Sequence, residues 1–166
     1  GGNIAAGLKF LSMFLCEEAV IGEFRIPSKK GMGESDYPLT TDQAFQVEHM
    51  RKFETVYLRV PKKEKCINKD VSVLVSAETS STAELVAQVF IDLKKGEVVG
   101  EQTSGRMVLS NWDQIPNFPE GYYFAYPYAL YKSISGAVIE KEGVDPDVYR
   151  AYSFDLESMG KDSFLN

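Results

Sequence analysis

Apolar residues recur at helical spacing from the start of the chain. Ile4, Leu8, Leu11 and Leu15 fall on one face, and Asn3 stands where a side-chain oxygen can accept a first-turn amide, so a helix is predicted that ends near Glu18. Ala19 to Pro27 has the character of a strand, whereas Ser28 to Asp42, rich in Gly, Ser, Lys and Pro, predicts an exposed loop. A short helix over Thr41 to Met50 and an alternating strand over Phe53 to Val60 follow, then a polar loop through Asp70. Val71 to Val75 is a short apolar run suited to a buried parallel strand. Ser76 to Ser81 is a polar turn, and Thr82 to Lys95 places Ala83, Val86, Phe90 and Leu93 on one helix face, with Gly96 as its terminator. Glu97 to Gly100 predicts another short strand, and the aromatic run Tyr122 to Tyr131 a further sheet segment. This succession of strand, turn, helix and strand predicts an α/β domain.

Composition narrows the classes. A chain of 166 residues with 44% hydrophobic residues suffices for one domain with its own core. Its net charge of −6, with no concentrated Lys/Arg cluster, argues against a nucleic-acid footprint. The longest apolar run, around Phe10 to Leu15, is flanked by Lys9, Glu17 and Glu18 and is too short for a membrane span. Cys16 and Cys66 lie far apart without metal-ligand spacing; both are expected to be free, although spacing alone does not exclude a pair. No internal repeat or low-complexity tract interrupts the chain.

Chemistry concentrates at the turn before the third helix. A strand that ends in a polar turn and feeds a helix sets the turn residues beside unpaired backbone N–H groups and the positive end of the helix dipole. A serine there can attack a carbonyl while nearby amides hold the developing oxyanion. Ser and Thr before a helix more often act only as caps, and Thr79, Ser80 and Ser81 all qualify.

Three ordered segments sharpen the choice: Thr79-Ser80-Ser81-Thr82-Ala83-Glu84, Val98-Val99-Gly100-Glu101-Gln102-Thr103-Ser104-Gly105, and Gly136-Ala137-Val138-Ile139-Glu140-Lys141-Glu142-Gly143-Val144-Asp145-Pro146-Asp147. In order and spacing they resemble the peptidase core of the C-terminal-processing (tail-specific) serine proteases, whose relatives include the tricorn-type peptidases and the interphotoreceptor retinoid-binding proteins. The resemblance spans roughly residues 1–148. It implies an α/β, crotonase-like core of repeated strand-strand-helix units and a peptide or protein substrate, with no metal or cofactor. Ser81, three residues ahead of Glu84, is then the nucleophile in preference to Ser80. Gly1 and Gly2 match the family's Gly-Gly pair and would share the oxyanion hole with the Thr82 amide, although two leading glycines can also be a cloning remnant.

The resemblance also frames the general base. In the branch with a Ser–Lys dyad the lysine follows the Gly-Glu-x-Thr-x-Gly segment, and here that position is Arg106, which stays protonated and cannot take a proton. In the tricorn-like branch a histidine is the base and a carboxylate orients it, a place that Glu140 matches, with Glu142 as the decoy. His49 is the single histidine. It lies in an expected insertion, residues 28–52, and is expected to be a surface residue, because the family's histidine precedes the Gly-Gly segment. Residues 1–166 are therefore expected to be the C-terminal part of a catalytic domain, and Gly160 to Asn166 resembles the start of the family's closing helix. The competing expectation is a binding module on an inactive protease core. Family members are commonly extracytoplasmic, and the resemblance extends that setting to this chain; oligomeric state is left open.

Overall fold

The structure, a computed structural model, describes residues 2–165. Helix α1 spans Ile4–Leu15, and the Asn3 side chain accepts the Ala6 N–H at 3.3 Å, so the predicted cap forms. Strand β1, Ala19–Arg25, leads into the loop region, which is not wholly irregular: Glu34–Asp36 forms a short strand, β2, paired in parallel with β3, Thr55–Val60. Between them helix α2, Gln43–Met50, is capped by Asp42, whose carboxylate accepts the Phe45 N–H.

Strand β4, Ser72–Val75, enters helix α3, Thr82–Leu93, and the chain returns in β5, Glu97–Gly100, parallel to β4. Parallel neighbours need such a crossover. β4 is not buried on both faces as its apolar composition suggests: Ser72 and Leu74 are exposed, because it is an edge strand of this sheet. α3 also ends differently from expectation. Lys94, at φ 49°, supplies the left-handed cap, while Gly96 serves a close approach, since a Cβ there would collide with the Val71 carbonyl oxygen.

Besides β2, three further elements escaped the pattern reading. Strand β6, Leu109–Gln114, is polar in sequence and forms a hairpin with β7, Tyr123–Ser133. Strand β8, Val148–Tyr149, is only two residues long, and helix α4, Phe154–Ser158, is capped by Ser153. The expected closing helix is not formed among the described residues after Gly160, where 163–165 make a turn.

Two sheets result, with orders β2-β3-β1-β7-β6 and β4-β5-β8. α3 packs on strands of both, and α1 packs on α3 and β3, so the two helices form the layer through which the sheets meet. Leu8, Leu11, Leu85 and Phe90 are fully buried in it, each contributing about 1.5–3 kcal/mol. The Phe14 ring meets the Phe90 ring edge-on at 5.4 Å between centroids. At the helix crossing, a Cβ on Gly7 would lie 2.6 Å from the Thr82 methyl, so glycine permits the approach.

The cysteines correct the expectation of free thiols. Cys16, just past the end of α1, is bonded to Cys66 across a separation of 50 residues. The loop that carries Cys66 reaches back to the helix, where the Ile67 N–H donates to the Met13 carbonyl at 2.6 Å. Closing so long a loop restricts the unfolded chain, and replacing both cysteines with serine is expected to cost about 2–4 kcal/mol, measured by urea unfolding under non-reducing conditions. An unchanged midpoint would show that the bond does not constrain the unfolded chain.

Candidate active site

The turn between β4 and α3 is built by short hydrogen bonds. The Thr79 hydroxyl accepts the Ser76 N–H at 3.0 Å, and the Thr79 carbonyl accepts both the N–H (3.0 Å) and the hydroxyl (2.8 Å) of Ser104. Ser81 closes the turn at φ 60° and ψ −129°, a conformation that costs a non-glycine residue about 1–3 kcal/mol and persists only where its surroundings enforce it. A serine on a sharp strand-to-helix turn is the arrangement that exposes a nucleophilic hydroxyl. The Glu84 N–H donates to the Ser81 carbonyl at 2.8 Å, so the backbone itself closes the first turn.

The enforcing group is Glu84, which is fully buried. Its Oε2 accepts the Ser81 N–H at 2.8 Å and the Arg106 N–H at 2.9 Å, and its Oε1 accepts the Thr103 hydroxyl at 2.6 Å and the Gly105 N–H at 2.7 Å. The Thr103 oxygen in turn accepts the Val144 N–H at 2.8 Å. One carboxylate thus ties the Ser81 turn to the second of the three sequence motifs and, through Thr103, to the third. Its position, three residues after Ser81, is that of a reciprocal helix cap.

Gly2 reaches the same turn from the other side. Its carbonyl accepts the Thr82 hydroxyl at 2.7 Å, and Gly2 and Asn3 line a cleft of about 690 Å³ together with Ser81. Thr82 is the first residue of α3, whose amide has no acceptor within the helix. Gly1 lies outside the described residues. Ser81 is half-buried and borders the cleft rather than the hydrophobic core.

Glu140 is half-buried, and its Oε2 accepts the N–H groups of Met107 and Val108, both at 2.8 Å. Val108 lines the cleft with Ser81. Glu84 and Glu140 together therefore hold the amides of Gly105, Arg106, Met107 and Val108, which are consecutive. Glu142 makes no comparable contact through its side chain; its carbonyl accepts from Gln102 at 2.9 Å. The Arg106 side chain is exposed. His49 is half-buried rather than free on the surface. Its Nε2 lies 3.0 Å from both the Ser35 hydroxyl and the Asp36 carbonyl, its ring sits between those of Phe45 and Phe53, and it is not among the cleft-lining residues.

Pattern reading missed the cleft's far side, formed by α2, β6 and Tyr128 of β7. No local signal marks those residues, because only the packing of distant elements brings them to Ser81.

Comparison with known proteins gives these motifs a family. The model of peptidase family S41 matches residues 1–150. A C-terminal processing peptidase of the chloroplast of Tetradesmus obliquus is 34% identical over 76 residues, which are 46% of this chain and 16% of that protein. Among solved structures, mature CPAF complexed with lactacystin superposes with a TM-score of 0.66 at 16% identity, over 90% of this chain and 37% of that one. The photosystem II D1 C-terminal processing protease gives a TM-score of 0.60 at 21% identity, over 90% of this chain and 31% of that one. The chain thus spans well under half the length of each of these relatives.

Replacing Glu84 with Ala would leave its four donors without an acceptor, and the variant is expected to lose about 3 kcal/mol or more in urea unfolding. Thr103→Val is expected to lose about 1–3 kcal/mol by the same measurement, because the Val144 amide and one Glu84 oxygen each lose a partner. Equal stability of wild type and both variants would remove the network from the account of the fold.

Proposed function

Because the chain belongs to peptidase family S41, we propose that it carries the nucleophile-bearing part of a serine peptidase site that hydrolyses peptide bonds through an acyl-enzyme on Ser81. The observation that carries this reading is the conformation of Ser81: a strained serine at a helix entrance, bordering a cleft, with its own amide fixed by a buried carboxylate. The Ser81 hydroxyl attacks the scissile carbonyl and gives its proton to the base. The amides of Gly1, Gly2 and Thr82 receive the oxyanion. The amine then leaves with that proton, and water releases the acyl group.

A Ser-His-Glu arrangement of the tricorn-like kind fits best, with Glu140 orienting a histidine contributed by a part of the protein outside residues 1–166. Two observations support an external base: the position of a dyad lysine is held by Arg106, and His49 is engaged by Ser35 and Asp36. On this reading the core is crotonase-like, and residues 28–52 are an insertion that walls the cleft through α2. Substrate would enter as an extended strand, because β6 is the edge of its sheet and lines the cleft, leaving backbone groups to pair with. The Cys16–Cys66 bond supports an extracytoplasmic, oxidising setting.

The second reading, an inactive protease-like binding module, rests on Arg106 together with the lack of a histidine or lysine among the described cleft residues. Fluorophosphonate labelling of the full-length protein separates the two. Wild type is expected to be labelled and Ser81→Ala not, while Glu140→Gln, which keeps an acceptor oxygen for the Met107 and Val108 amides, is expected to lower the labelling rate by about 10–1,000-fold with the protein still folded. Labelling that survives in Ser81→Ala would remove this serine from the chemistry, and an unlabelled wild type that still binds peptides would favour the binding module.

A further inference from the structure

Three enclosed polar side chains of the cleft keep unused hydrogen-bonding capacity. Tyr37, just past β2, is 5% exposed, Gln46 on α2 is 6% and Asn111 on β6 is 4%, and all three line the cleft. The Tyr37 hydroxyl has no hydrogen-bond partner among the described residues, and unlike the Tyr128 hydroxyl it is not sealed from solvent. Each amide is oriented by the group it donates to. Gln46 Nε2 donates to the Thr40 carbonyl, which can only accept, so Oε1 is the free end. The Tyr126 hydroxyl gives its one proton to Asp113 at 2.9 Å and accepts from Asn111 Nδ2 at 3.5 Å, so Oδ1 is the free end there. Neither oxygen has a partner among the described residues, and neither is sealed. Residues this enclosed meet solvent at the cleft they line.

We propose that Tyr37, Gln46 and Asn111 form a subsite for an uncharged carboxamide, so that the cleft selects peptides carrying a Gln or Asn side chain. The inference rests on the peptidase reading for the class of ligand, but not on which residue is the nucleophile. Its basis is complementarity. The subsite offers one hydroxyl that can donate and two amide oxygens that only accept, and a primary amide answers with one acceptor oxygen and two N–H donors. A carboxylate of the same length would set its oxygens against those of Gln46 and Asn111. An apolar side chain would displace the water that serves these groups and return no hydrogen bond, at a cost of about 1–3 kcal/mol for each group stranded. A site built to hydrogen-bond its ligand therefore rejects an analogue that lacks the partner. Burial pushes the Tyr37 phenol up to about 12, so it holds its proton as a donor. None of the three residues lies in the sequence motifs around Ser81, so replacing them leaves the Glu84 network in place.

One binding experiment tests this. Full-length Ser81→Ala protein is titrated with fluorescein-labelled Ala/Ser octapeptides, all with the same free C-terminus, and fluorescence anisotropy reports affinity without turnover. Each position in turn carries Gln, Glu or Met, and in a second set Asn, Asp or Leu, so that amide, carboxylate and apolar groups of similar size are compared. At one position at least, the amide peptide is expected to bind about tenfold more tightly than both of its counterparts. Tyr37→Phe keeps the ring beside Phe24, 6.2 Å between centroids, and removes only the hydroxyl. It is expected to lower the amide preference about threefold at unchanged melting temperature, because the hydroxyl has no partner within the fold. Asn111→Leu is expected to lower it by a similar factor, and the two substitutions together to bring it within about twofold.

Equal affinity of the three peptides at every position overturns the subsite, as does a preference for the carboxylate or the apolar group, or binding of no octapeptide. An amide preference that survives Tyr37→Phe and Asn111→Leu together overturns it as well, since other groups then read the amide. A Tyr37→Phe variant with a lowered melting temperature and an intact preference would show that the hydroxyl serves the fold, which is again a failure of the proposal. None of these results decides the peptidase reading, which stands or falls on fluorophosphonate labelling of Ser81.

Discussion

A carboxylate removed from water must find a donor for its lone pairs or lose several kcal/mol of solvation. Glu84 meets that condition with three backbone amides and one hydroxyl, all within 2.9 Å. Because the donors come from the entrance of α3 and from residues 103–106, satisfying the carboxylate fixes the distance between two motifs that are about twenty residues apart in the chain. The remaining residues of the second motif follow from the same constraint. Gly105, at φ 68°, passes so close to the third motif that a Cβ would lie 2.8 Å from the Lys141 carbonyl carbon. Thr103 uses one hydroxyl to donate to Glu84 and to accept from Val144. The strain at Ser81 is held by this network, since the Ser81 amide is one of its donors.

Regular local features were legible in the sequence. Helical spacing and the Asn3 cap located α1, and the polar turn before an amphipathic run located the start of α3 and with it Ser81. The Ser-x-x-Glu spacing pointed to the serine, but as a sequence signal it does not say that Glu84 is sealed in the interior or that it reaches Thr103 and Gly105. Features set by long-range pairing were not legible. β4 looked doubly buried because apolar composition cannot reveal that a strand lies at an edge. β6 is polar and becomes a strand only because β7 is beside it. The Cys16–Cys66 bond depends on a loop folding back onto the end of α1, and the gathering of Tyr37, Gln46 and Asn111 depends on how α2 and β6 meet at the cleft.

The cleft divides along the same line. One side, Ser81, Gly2 and the amides at the start of α3, is built from the family's motifs and braced by buried hydrogen bonds. The other side is built from α2, whose cap and turn contacts are local, and from the hairpin β6–β7, whose exposed Trp112 and Phe124 show how little of it is packed. Chemistry demands fixed geometry, whereas recognition tolerates variation in the elements that supply it. On the proposed peptidase reading, the braced side would be the one that reacts and the variable side the one that contacts substrate.

The two glutamates also bear on the identity of the base. Glu84 and Glu140 hold four successive amides, from Gly105 to Val108, so the backbone that carries Arg106 is pinned on both sides. A shift of the main chain to bring the residue at 106 toward Ser81 or away from it would break hydrogen bonds to a buried carboxylate. The position is therefore geometrically stable but chemically unsuited to accept a proton, because a guanidinium does not deprotonate in the working range of an enzyme. If Ser81 is the nucleophile, rearrangement of this segment cannot supply the missing base. On the proposed reading the proton acceptor would come from a different element, and Glu140, already fixed through one oxygen, would orient it.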